Sequence, residues 1–160
     1  MKIENIKQLM DGLDLAALFP EIESVLDLVA VAARFLLLIG PFVLLALGLF
    51  YFLGAPKEAN YQSGYRCYWG MGSVMAWQFT QRLAGSLYAI SGIGLVVAMA
   101  ILGASLHGCE LMTMLLRTVR YIAIQAVTVL IVRIIINLTV TLRYDRKGNR
   151  RYTWSQLWKG

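Results

Sequence analysis

Acidic residues are scarce in this chain and unevenly spread. Only 9 of its 160 residues are Asp or Glu, and beyond residue 28 they reduce to Glu58, Glu110 and Asp145. Histidine occurs once, at His107, cysteine twice, at Cys67 and Cys109, and proline three times. Each shortage excludes a class of function. Acid–base or nucleophilic catalysis needs titrating groups placed together. The chain offers neither paired carboxylates nor a nucleophile beside a base, so no enzyme is expected. His107, Cys109 and Glu110 share one turn, but a metal site needs three or four converging ligands. No second cluster complements them, so no metal and no cofactor is expected. Two lone cysteines read as free thiols.

What the chain does have is apolar length. It is 59% hydrophobic and 15% charged. Apolar runs cover Phe35 to Pro56, Leu83 to Leu106 and Tyr121 to Leu142, the last broken by Arg133. A hydrocarbon core of ~30 Å takes about 20 apolar residues as helix. Lipid offers no partner to an open backbone amide, which forces the helical form. The expected fold is therefore an all-α membrane protein, a bundle of three transmembrane helices. The spans are placed at about 29–53, 83–106 and 119–142, with a motif loop and short interfacial helix at 54–82 and a basic tail at 143–160.

Residues 1–28 read as an amphipathic helix. Ile3, Ile6, Met10, Leu13 and Ala17 recur at steps of three or four, with Lys7, Asp11 and Asp14 between them. This acidic start is not that of a cleavable signal peptide. The formal charge of +6 comes from the remainder of the chain. Its basic residues gather at span edges, the pattern of membrane anchoring rather than of direct nucleic-acid binding. Lys57, Arg66, Arg82 and the tail group Arg143, Arg146, Lys147, Arg150, Arg151 and Lys159 would all lie on one side. The positive-inside rule makes that side cytoplasmic, with the amino terminus and the 107–118 turn outside. Cys67 and Cys109 then lie on opposite sides. Trp154 and Trp158 add an aromatic face to a tail suited to anionic lipid.

Within the spans, Pro41 after Gly40 predicts a kink. In the second span Gly85, Gly92 and Gly103 permit close helix approach. Ser91, Gly94 and Ala98 form a small-residue stripe expected to pack tightly, making this the central helix. Self-association along the same stripe is the alternative. The third span carries Gln125, Arg133 and Asn137. An arginine at mid-span costs at least ~2.5 kcal/mol unless it faces protein or water. With no acid at that depth, its partners must be neutral groups or an acid reaching in from an end.

The stretch Gly64 to Leu87 mixes polar, aromatic and basic residues at fixed spacing. Ser73 reads as a helix cap working without the acid that would complete a capping box. Trp77 and Gln81 follow on one face. Arg66, Trp77 and Arg82 are expected to form a polar pocket at the water boundary. Asn60, Gly64, Tyr65, Arg66, Trp69, Ser73, Trp77, Thr80 and Arg82, followed by Gly85 and Leu87, resemble the signature of the SdpI family. These are small bacterial membrane proteins named after an immunity protein against a sporulation-delaying peptide toxin. The family's Thr-Pro pair is Cys67-Tyr68 here, its paired acids are Val74-Met75, and its His is Gln81.

The resemblance implies a non-enzymatic protein of the bacterial cytoplasmic membrane. It implies protection against a membrane-active peptide toxin, sequestration of a cytoplasmic regulatory protein, or both, alongside contact with membrane lipid. The alternative is a small oligomeric transporter or channel for an anion or small solute, with Gln125, Arg133 and Asn137 lining its path.

Overall fold

The computed structural model describes residues 20–60, 62–107, 109 and 111–151. The expected amphipathic helix falls mostly on residues 1–19, and Trp154 and Trp158 fall on 152–160. Both lie outside the described residues, as do Tyr61, Gly108 and Glu110. Three long helices make up the rest. Helix α1, Pro20–Leu49, continues into a π-helical turn, Phe50–Gly54. A loop with one 3-10 turn, Trp69–Met71, leads to helix α2, Val74–Ala104. Helix α3 is Leu111–Arg143. All three are long and apolar enough to cross a membrane. The short interfacial helix expected to run directly into the second span is continuous with it. Nothing between Ser73 and Gly85 breaks the helix, so its residues form the first turns of α2.

Charged residues mark the slab these helices cross. At 1.5 Å per residue, α3 rises about 34 Å from Arg120 to Arg143, and α2 about 33 Å from Arg82 to its end. Both lengths match the hydrocarbon core. Between these marks the outward faces are apolar, as Ile90, Ile93 and Val97 on α2 and Leu130, Ile134 and Leu138 on α3 illustrate, with the exposed Arg133 the charged exception on α3. This is a multi-pass membrane protein.

Two apolar helices gain little in lipid by hiding apolar surface, so they must gain by close contact. Helices α1 and α2 do this in one antiparallel register. A side chain at Gly48 would collide with the Ala89 backbone nitrogen. One at Gly85 would stand 2.6 Å from the Phe52 nitrogen, and one at Gly92 2.7 Å from the Leu45 nitrogen. The Arg34 stem packs on Gly103 at the far end of the same seam. The expected stripe of Ser91, Gly94 and Ala98 is not the seam. Gly94 has nothing within 4 Å and so makes no close approach, although Ala98 packs against the core. Helix α2 touches α3 over a shorter stretch and is the middle helix of the three.

Helix α3 buries Met114, Thr118, Tyr121, Val132, Ile136 and Val140 at intervals that keep one stripe inward. Its main tie to α1 is polar. Pro41 sits inside α1 and lacks the N–H that would close on the Leu37 carbonyl. Gln125 Nε2 donates to that carbonyl at 2.9 Å, and its Oε1 occupies the space that a side chain at Gly40 would need. Gly40, Pro41 and Gln125 are thus one device, a missing backbone bond replaced by a side chain from the next helix. The helix continues through Pro41 unbroken.

This pairing predicts a non-additive cycle. Gln125→Leu should lower stability by about 1–2 kcal/mol by orphaning the carbonyl. Pro41→Ala in that background should recover most of the loss, since alanine restores the missing N–H. Reversible unfolding in mixed detergent micelles measures both, and additive losses would refute the assignment.

Candidate functional site

The loop before α2 is folded back over the start of that helix and held there by side chains of α2 itself. Ser73 starts the arrangement. Its backbone is extended and its Oγ accepts from Ala76 N at 3.1 Å, the single cap expected from sequence. One turn on, Trp77 is fully buried and its Nε1 donates to the Pro56 carbonyl at 2.7 Å. A further turn on, Gln81 is buried and grips the loop with both ends of its amide. Its Oε1 accepts from Tyr65 N at 2.8 Å, and its Nε2 donates to Tyr65 O at 2.7 Å. The side chain does for Tyr65 what a neighbouring strand would do.

Two glycines let the loop lie this close. Gly64 has φ +102, and a side chain there would meet the Trp77 ring at 2.8 Å. A side chain at Gly70 would meet Thr80 Oγ1 at 2.5 Å. Thr80 is itself fully buried and bonds back to Ala76 O. Asn60 closes the outer end of the loop by accepting from the amides of Gln62 and Ser63. Tyr65 then enters an aromatic cluster with Tyr51 and Tyr88, at centroid distances of 6.0 and 5.8 Å, and its hydroxyl donates to Asn137 of α3 at 3.0 Å. Burial, seconded by Tyr88, pushes the Tyr65 hydroxyl up, so it stays a donor. Arg133 lies within electrostatic reach of the Tyr65 and Tyr88 hydroxyls.

The expected pocket of Arg66, Trp77 and Arg82 does not take that form. Trp77 is turned inward under the loop. Arg66 is exposed and lines a cleft of about 260 Å³ with Cys67, Tyr68, Trp69 and Asn137. Arg82 is exposed and lines two others. One, of about 230 Å³, is bounded by Tyr51, Pro56, Lys57 and Gln81. The physical reason is the Pro56 carbonyl. It takes the indole N–H inward, and the two arginines, with charged heads to keep in water, stay outside.

The chain after α3, expected as a basic tail, begins as a folded turn. Asp145 N donates to Asn149 O, and the Asp145 carboxylate accepts from Lys147 N and Asn149 N. Tyr144 bridges to Arg150 as a pair of antiparallel residues. Gly148, at φ +76, fits against Gly72 and Ser73 so closely that neither glycine has room for a side chain. Ser73 Oγ donates to Gly148 O at 2.8 Å, so one hydroxyl caps α2 and fastens the end of α3. Asp145 followed by Gly148 and Asn149 is a turn signal that was available in the sequence. Asn149's backbone amide, first among several donors, holds the Asp145 carboxyl below its ordinary range. The turn therefore keeps these bonds at neutral pH and loses them as pH falls through that lowered value.

Chemically, this end of the molecule is a cationic, aromatic surface on a fixed scaffold. Arg143 lies 4.3 Å from the Phe79 ring centroid, and Arg146 and Arg151 lie 5.7 and 5.3 Å from that of Trp69. Gln125 stands apart, bonded to Leu37, whereas Asn137 bonds the Tyr65 hydroxyl that Arg133 also reaches electrostatically. No group of three or more metal-ligating side chains forms among the described residues.

In comparison with known proteins, the family model described as the SdpI/YfhL protein family matches residues 57–142. The match takes in the loop, α2 and nearly all of α3. No curated protein matches the chain, and no solved structure does.

The clamp makes Gln81 testable. Gln81→Leu orphans a buried N–H and C=O and should cost about 2–4 kcal/mol. Burial pushes the Cys67 thiol up, so a Cys109→Ser protein should label slowly with maleimide at neutral pH. Adding Gln81→Leu should free the loop and speed labelling; unchanged labelling would contradict the clamp.

Proposed function

This chain belongs to the SdpI/YfhL family, and from that premise we propose that it is a non-enzymatic immunity protein of the bacterial cytoplasmic membrane. In this reading it protects its cell against a membrane-active peptide toxin, and its cationic face gives a cytoplasmic regulatory partner a place to dock. The single observation that carries the proposal is the motif loop. The signature-like residues Asn60, Gly64, Tyr65, Ser73, Trp77 and Thr80 gather in one folded loop and helix start at one end of the bundle, clamped by Gln81, which stands where the family has His. The clamp presents Arg66 and Arg82 outward, where a peptide or an acidic protein can meet them.

The basic residues around this end set the orientation in this reading. The loop and the turn after α3 face the cytoplasm, and the amino terminus faces out. The family acids and His are replaced by Val74, Met75 and Gln81. Val74 and Met75 are exposed, so their loss changes the surface, whereas Gln81 is spent on the loop. Activity in this chain would then run through the arginines rather than through a titrating group. The transporter alternative keeps Arg133 as its polar residue but loses Gln125 and Asn137 to structural bonds.

Survival of a toxin-sensitive strain under challenge with membrane-active peptides tests the proposal. Protection should fall at least tenfold with Arg66→Ala at equal expression, a loss of about 1.4 kcal/mol in binding terms. Arg66 is exposed, so the fold should survive the change. Trp77→Ala is a poorer probe, since emptying a fully buried Trp site costs about 3–5 kcal/mol of stability. Protection that persists unchanged in Arg66→Ala would overturn the assignment of this surface.

A further inference from the structure

The cleft between the first turns of α2 and the turn after α3 has a volume of about 200 Å³ and is lined by Met75, Gln78, Phe79, Arg82, Tyr144 and Arg150. It combines two cations with no acid. Asp145, next in sequence to the cleft residue Tyr144, is committed to the amides of Lys147 and Asn149. Other arginines at this end are occupied: Arg143 lies over Phe79, and Arg146 and Arg151 over Trp69. Among the described residues, no hydrogen bond, ion pair or ring contact holds the guanidinium of Arg82 or of Arg150. Two uncommitted guanidinium groups on one cleft, brought there by elements far apart in sequence, would repel each other across water unless an anion lay between them.

We propose that this cleft is a binding site for the phosphate of an anionic phospholipid headgroup, with Arg82 and Arg150 as its two donors. Guanidinium donors suit phosphate oxygens in paired geometry. Two features favour a lipid over a soluble phosphoester. The cleft lies level with Arg82 and Arg143, where the apolar surfaces of α2 and α3 begin. Its lip is apolar, with Met75 57% exposed. Below Arg82 the same row of α2 continues through Ile90, Ile93 and Val97, all exposed, so an acyl chain has a surface to follow. The site goes beyond the immunity reading and stands whether or not that reading holds.

The test uses the full chain, delipidated in a neutral detergent. It is titrated separately with dioctanoyl phosphatidylglycerol, dioctanoyl phosphatidylcholine and inorganic phosphate, and binding is followed by native mass spectrometry or calorimetry. Phosphatidylglycerol should bind at least tenfold more tightly than either of the others. Arg82→Gln and Arg150→Gln should each weaken it ~5-fold, and the pair ~25-fold, at about one surface cation's worth of attraction apiece. Lys147→Gln, a cation beside the cleft rather than in it, should stay within about twofold. Equal affinity for inorganic phosphate would replace the lipid with a soluble phosphoester. Equal loss in Lys147→Gln would reduce the site to diffuse charge. Equal affinity for phosphatidylcholine would remove the role of net charge altogether. Each of these results overturns the proposal. None depends on toxin survival, so failure here and failure of the immunity reading are separate outcomes.

Discussion

The constraint on which this structure depends is that apolar helices in lipid gain little from hiding apolar surface from one another. What remains is close contact and the satisfaction of every backbone polar group. The α1–α2 seam meets the first demand. Gly48 lies against Ala89, Gly85 against Phe52 and Gly92 against Leu45, all in a single antiparallel register. A side chain at any of the three glycines would push backbone apart, and the loss would be shared along the seam. The bond from Gln125 to Leu37 meets the second demand, where Pro41 leaves a carbonyl open inside α1.

The motif end follows from the same accounting at the water boundary. A loop that crosses a helix start must find partners for its own amides. Here Trp77 and Gln81 take that task, and Ser73 joins the helix cap to the turn after α3. The result is one rigid unit made from α2, the loop before it and the chain after α3. The family match over residues 57–142 covers most of this unit and leaves out α1. The matched residues are thus largely the scaffold, and the arginines around it are what the scaffold presents. Stacking on Phe79 and Trp69 fixes some of those cations, while Arg82 and Arg150 line one cleft with guanidinium groups that bond to nothing among the described residues.

Much of this is legible in the sequence. Three apolar runs of membrane length permit little else than three helices. Ser73 as a lone cap, and Trp77 with Gln81 on one face, follow from helical spacing and side-chain chemistry. The small residues of α2 announced a tight contact, though several rows of them satisfied the same spacing. Which row faced α1 depended on where α1 placed Gly48, and a single helix does not carry that information. The turn at Asp145 to Asn149 has readable turn chemistry, but the basic residues around it point equally well to a tail lying on lipid.

Local chemistry along the chain therefore determined the number of crossings, the caps, the basic and aromatic end, and the family. Periodicity and hydropathy are properties of short windows, and these features need nothing more. Tertiary structure alone decided the partner of each of these polar groups, Gln81 with Tyr65 and Gln125 with Leu37, and brought Arg82 and Arg150 to one cleft. Those two pairings join residues 16 and 88 positions apart. They depend on the register of one helix against another, which is set by the packing of whole surfaces.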